Sequence, residues 1–144
     1  MRIVIIVFEP GTIHVSKMGA VTGVVYFDFG ADRQFPIARW NDFVIVVASW
    51  WLSAVRKLSR EHQETELRFM DGPYWITLIV QGDSRLLLRC IEDRRGAGIA
   101  YEVVVGVEEL ERELLKFARE VLGACSSAGI ETADLDDLRR SLGG

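Results

Sequence analysis

Residues 40–60 read WNDFVIVVASWWLSAVRKLSR, and the spacing of apolar side chains in this run decides what the rest of the chain must do. Phe43, Val47, Trp50, Trp51, Ala54 and Leu58 recur at three- and four-residue steps, which predicts one wide apolar face of an α-helix. Ile45, Val46, Ala48 and Leu52 make much of the remaining circumference apolar, so the helix is expected to be buried on more than one side. Asn41 reads as the N-cap, because its side chain can accept a bond from a free backbone N–H of the first turn, and Asp42 suits the positive end of the dipole. Trp40 and Ile45 stand where a hydrophobic staple would join them. Arg56, Lys57 and Arg60 put positive charge at the other end, where the dipole favours it. The uncharged stretch, residues 43–55, is about thirteen residues long against roughly twenty needed to cross a bilayer, so a core helix is predicted and not a membrane span.

A helix this apolar needs a cover, and residues 64–105 supply one. Asp71-Gly72 is the strongest turn signal in the chain and predicts a type I′ hairpin. With that loop Leu67 faces Ile76, Phe69 faces Tyr74 and Arg68 faces Trp75. At the next turn the pattern selects the register. A two-residue loop would pair Ile76 with Arg89 and bring a charge onto the apolar face; a three-residue loop, 82–84, instead pairs Leu78 with Leu88, Ile76 with Cys90 and Val80 with Leu86. Across the loop at 92–96 the same logic sets Cys90 against Tyr101, Leu88 against Val103 and Arg89 against Glu102. The result is a four-stranded antiparallel meander. One face carries Leu67, Phe69, Tyr74, Ile76, Leu78, Leu86, Leu88, Cys90, Tyr101, Val103 and Val105. The other mixes Glu66, Arg68, Thr77, Arg89 and Glu102 with Met70, Trp75, Ile79, Leu87, Ile91 and Val104, which is more apolar than a plain solvent-facing sheet.

Before the helix, residues 2–8 form a Val/Ile run ended by Glu9-Pro10-Gly11, and residues 23–30 alternate in the manner of a second strand. The two are expected to pair, with their register open. After the meander the period changes from two to 3.6. Val107, Leu110, Leu114, Phe117, Ala118, Val121 and Cys125 mark one stripe of an amphipathic helix that breaks at 126–129, and Thr132 caps a short last helix. With no repeat, linker or low-complexity segment, residues 1–144 read as a single α+β domain with a central buried helix and a C-terminal amphipathic helix packed on one face of an antiparallel meander.

The composition narrows the function classes. Half the chain is hydrophobic and the net charge is −4, which argues against disorder and, weakly, against nucleic acid or an anionic membrane as partner. The N-terminal apolar run is shorter than a secretory h-region and lacks a small-x-small cleavage site, so the expected location is the cytoplasm. Cys90 and Cys125 are expected to be buried thiols. His14 and His62, the two histidines, stand in no metal-ligand spacing, Gly19–Gly23 lacks the Lys-Ser/Thr of a phosphate loop, and no serine sits in a nucleophile elbow. No catalytic residue, metal or cofactor is therefore assigned. The acidic cluster 108–113 reads as the charged side of its helix, which the dipole favours.

The segments WNDFVIVVASWW and FMDGPYWI, followed by a meander ending in EEL and a long amphipathic helix, resemble small bacterial immunity proteins encoded beside polymorphic toxins. The resemblance lies in the order of elements over most of the chain. It implies a cytoplasmic, non-enzymatic protein that neutralises a toxin by binding it.

Three readings follow. The first is a protein-binding module whose contacts come from Glu66, Arg68, Trp75, Arg89 and Glu102, since binding energy concentrates on Trp and Arg anchors. The second is a small-molecule binder or enzyme with a pocket between helix and sheet lined by Trp50, Trp51 and Tyr74. The third is a homodimer through the same outer face.

Overall fold

The computed structural model describes residues 2–143, and its elements run β1 (Ile5–Val15), β2 (Val21–Asp28), β3 (Gln34–Phe35), β4 (Asn41–Asp42), α1 (Val44–Arg56), β5 (Glu64–Arg68), β6 (Tyr74–Gln81), β7 (Arg85–Asp93), β8 (Ala97–Gly106), α2 (Val107–Ser127) and α3 (Ala133–Ser141). They build an α+β fold with two antiparallel sheets. One has the order β1-β2-β3, with β4 also paired to β2, and the other is the meander β5-β6-β7-β8.

The meander register follows the hydrophobic pattern. Leu67 pairs with Ile76 and Arg68 with Trp75; Leu78 pairs with Leu88, Ile76 with Cys90 and Val80 with Leu86; Leu88 pairs with Val103, Arg89 with Glu102 and Cys90 with Tyr101. A slip of one residue anywhere would have carried leucines to the solvent side. The inward residues are buried except Val80 and Tyr101, which are half-buried.

Both sheets turn their apolar sides toward the helices. Helix α1 touches β2, β5, α2 and α3, while α2 lies against β1, α1, α3 and β8. Trp51, fully buried, is the meeting point. Its ring lies 5.2 Å from Phe27 of β2, 5.2 Å from Phe69 at the end of β5, and 5.4 Å from Phe117 of α2. Phe8 of β1 joins this cluster through Phe117, at 5.8 Å. The segment that leads into β1 reaches the meander edge, where the Arg2 N–H donates to the Val104 carbonyl at 2.8 Å. The N-terminal strands thus pack on α1 and α2, and the outer face of the meander stays uncovered by them.

Four expectations are corrected. First, helix α1 begins at Val44, and the residue read as its cap, Asn41, instead pairs with Val24 in β4. The reason is Asp42, whose carboxylate is drawn into a buried junction. Second, Trp40 is not stapled to Ile45 but stands edge-on to Tyr74, with ring centres 5.1 Å apart. Third, β1 continues through Pro10 and Gly11 to Val15, with its pairing to β2 shifted between Glu9 and His14. Thr12 makes this possible, because its hydroxyl donates to the Glu9 carbonyl at 2.6 Å and accepts from Val24 N–H at 2.8 Å, replacing ladder bonds lost at the irregularity. Fourth, the 71–72 loop is not type I′, since of its two residues only Gly72 has a positive φ, at 72°. Asp71 turns its N–H onto Asp42 instead.

Gly72 is required for two reasons. A Cβ there would adopt an unfavourable left-handed backbone and would lie 2.9 Å from the Trp40 ring and 3.0 Å from Tyr74. Gly72→Ala is expected to lower the unfolding free energy by about 1–3 kcal/mol in urea titrations. Gly82→Ala, also at positive φ but with open space around its added carbon, should show the smaller loss.

Candidate functional site

The outer face of the meander is built by its register into three rows that run across the four strands. The upper row is Arg68–Trp75–Ile91–Ile99, the middle row Glu66–Thr77–Arg89–Glu102, and the lower row Glu64–Ile79–Leu87–Val104. A polar, charged stripe is thereby flanked by two largely apolar ones. Glu66, Arg89 and Glu102 share the middle row, and Arg68 and Trp75 are neighbours in the upper one.

Four of the charges on this face form two pairs. Arg89 Nε donates to Glu102 Oε2 at 2.8 Å, and the Arg68 guanidinium lies 2.7 Å from a Glu66 oxygen. Arg68 also covers Trp75, with its guanidinium carbon 4.7 Å from the ring centre, a cation–π geometry. Exposed ion pairs of this kind stabilise a fold by about 0–1 kcal/mol, so they organise the face more than they hold it together. The apolar members Ile79, Leu87 and Val104 are half-buried, Ile91 is buried at 8% exposure, and Ile99 is 56% exposed.

Trp50, Trp51 and Tyr74 do not converge on a pocket. Consecutive helical residues point about 100° apart, so adjacent tryptophans cannot face the same way; that signal was available in the sequence. Trp51 fills the core and its Nε1 donates to the Arg68 carbonyl at 2.7 Å. Tyr74 is buried in the meander, and its hydroxyl accepts from Arg94 at 2.6 Å. Trp50 is 44% exposed and lines an open groove with Ser53, Ala54 and Lys57 of α1 and Thr65, Glu66 and Arg68 of β5. Arg68 therefore touches both surfaces, and Trp50, Arg68 and Trp75 wrap around the β5 edge as one corner.

Sequence reasoning gave Asp42 to the α1 dipole and missed its place in a buried junction. Its side chain is 1% exposed and among the described residues forms no ion pair, yet it gathers four N–H groups. Trp40 Nε1 donates at 2.9 Å, Phe43 N at 2.7 Å, Met70 N at 3.2 Å, and Asp71 N to both oxygens at 3.2 and 3.3 Å. The carboxylate thus ties the start of α1 to the β5–β6 turn and sets the height of that turn beside the Trp–Arg corner. Burial pushes its pKa up, and the bonds from Trp40, Phe43, Asp71 and Met70 pull it back without cancelling the rise. Among the described residues no group of three His, Cys, Asp or Glu side chains is placed to hold a metal ion, and no helix is long and apolar enough to cross a membrane. Cys90 and Cys125 are buried and unbridged, and burial raises both thiol pKa values. No family model, curated protein or solved structure matches this chain.

Because the folded pKa of Asp42 lies above its ordinary value of 3.8, its contribution to stability is complete below that value and is lost as pH rises through the folded pKa. The excess in unfolding free energy of wild type over Asp42→Asn is expected to be largest at the acid end and to shrink toward neutrality, as urea titrations across the pH range would show. Asp42→Ala, which orphans all four donors, should cost at least ~2 kcal/mol at every pH.

Proposed function

We propose that this chain is a non-enzymatic protein-binding module of the immunity type, which acts in the bacterial cytoplasm and neutralises a toxin by direct contact through the outer face of the meander. The observation that carries the reading is the three-row face. It offers half-exposed apolar stripes on either side of a prearranged charged stripe, and one corner holds two tryptophans and an arginine, the residue types on which interface energy concentrates. An apolar surface left open by the N-terminal strands is the kind that marks an interaction site.

The face is suited to specificity as well as affinity. Glu66–Arg68 and Arg89–Glu102 hold their charges in fixed positions, so a partner with matching charges keeps its hydrogen bonds and a mismatched one leaves them unmet. The remaining contacts along Ile79, Leu87 and Val104 exclude water around those anchors.

The test is binding and growth with the product of the neighbouring gene, which this reading requires to be a toxin. Co-expression is expected to restore growth of cells that the toxin alone arrests, and calorimetry on the purified pair should give a stable complex. Trp75→Ala is expected to weaken that complex by about 2 kcal/mol, roughly thirtyfold, with an unchanged urea midpoint. Arg89→Glu should slow association and alter its salt dependence. Arrested growth despite soluble co-expression, together with no measurable complex, would remove the immunity reading.

A further inference from the structure

The β5 edge carries an open half-ladder. Phe69 N–H donates to the Tyr74 carbonyl, and Val80 N–H to the Gln63 carbonyl, so the odd-numbered residues along β5 bond to β6. In an antiparallel pair the N–H and C=O of one residue point the same way, so Glu64, Glu66 and Arg68 aim theirs away from β6. The Arg68 carbonyl is taken by Trp51 Nε1. Among the described residues, the outward N–H and C=O groups of Glu64 and Glu66 have no protein partner.

The groove beside this edge is of ligand size. It encloses about 420 Å³ between the Trp50–Ser53–Ala54–Lys57 stripe of α1 and Thr65, Glu66 and Arg68 of β5; clefts that hold ligands run from roughly 300 to 1,000 Å³. Trp50 and Ala54 give it an apolar wall. Arg68 shares its charge with Glu66 at 2.7 Å, whereas Lys57 is exposed and, among the described residues, has no carboxylate within ion-pair distance. One positive charge is left over in a groove flanked by unused backbone groups.

We infer that this groove receives an extended segment of a partner protein, which adds to β5 as a further strand. The segment's backbone completes the ladder at Glu66, an apolar side chain rests on Trp50 and Ala54, and an acidic side chain answers Lys57. In such strand addition the main-chain bonds give affinity and the side-chain contacts give selectivity. A foreign segment fits better than a second copy of the chain. Two β5 strands paired symmetrically about Glu66 would set that carboxylate opposite its own equivalent, and like charges directly opposite are destabilising. The inference rests on the protein-binding reading above and adds the form of the ligand and the place where it docks.

The probe is a phage-displayed library of random peptides panned on the full-length chain, with the selected peptides measured by fluorescence anisotropy. Enriched peptides are expected to carry an aliphatic or aromatic residue close to Asp or Glu. Trp50→Ala, Lys57→Glu and Glu66→Pro should each weaken them by about tenfold or more. Glu66→Pro is diagnostic, because it removes an outward N–H and no bond to β6. Lys57 is exposed, so its variant keeps the test valid should the proline variant unfold. Three outcomes would overturn the inference: no enrichment, peptides that bind all three variants as tightly as wild type, or self-association abolished by the same substitutions. Toxin binding that is lost with Arg89→Glu while no peptide enters the groove leaves the outer face standing and sinks the groove. Peptides that obey the variants while the toxin goes unbound sink the immunity reading alone.

Discussion

The bond from Trp51 Nε1 to the Arg68 carbonyl is the constraint on which the rest of this structure depends. A fully buried indole N–H must find an acceptor or forfeit the free energy of its lost hydration. Here it finds one on the outward side of an edge strand, which draws α1 alongside β5 and brings Phe27, Phe69 and Phe117 around the same ring. One side chain thereby holds strands from both sheets and the long C-terminal helix in a single core. It also consumes one of the edge groups of β5 and leaves those further along free.

Asp42 is the second constraint, and its cost is of a different kind. Placing a carboxylate at 1% exposure without a cation is unfavourable, and four N–H groups offset much of that penalty. All four come from segments that lack regular pairing at that point: the residues around the start of α1 and the β5–β6 turn. The junction serves as shared satisfaction for three backbone N–H groups and the Trp40 indole N–H. It places the turn so that Gly72 lies against Trp40 and Tyr74, which is why that corner tolerates no added carbon.

The candidate site is a consequence of these two anchors. The strand register alone sets the rows on the outer face, but the corner formed by Trp50, Arg68 and Trp75 exists because α1 is held beside β5. Arg68 is central to it. Its carbonyl is fixed from the core side, and its guanidinium is held by Glu66 and Trp75 on the outer side. A residue pinned at both ends loses less rotamer freedom when a partner arrives, which favours its use as an anchor.

The amino-acid sequence by itself determined the α+β class, the meander register from Leu67–Ile76 through Leu78–Leu88 to Cys90–Tyr101, the burial of α1 on more than one side, the inward face of α2, and the cap of α3 by Thr132. These rest on local periodicity, where one misplaced residue exposes a leucine or buries a charge. Only the tertiary structure decided the course of β1 past Pro10, the strand at Asn41–Asp42, which of Trp50 and Trp51 enters the core, and the groove at β5. Each of those depends on hydrogen-bond partners far away in sequence, such as Val24 for Thr12, Asp71 for Asp42 and Arg68 for Trp51. A polar group signals that it needs a partner, but which distant partner satisfies it is settled only when the chain has folded around it.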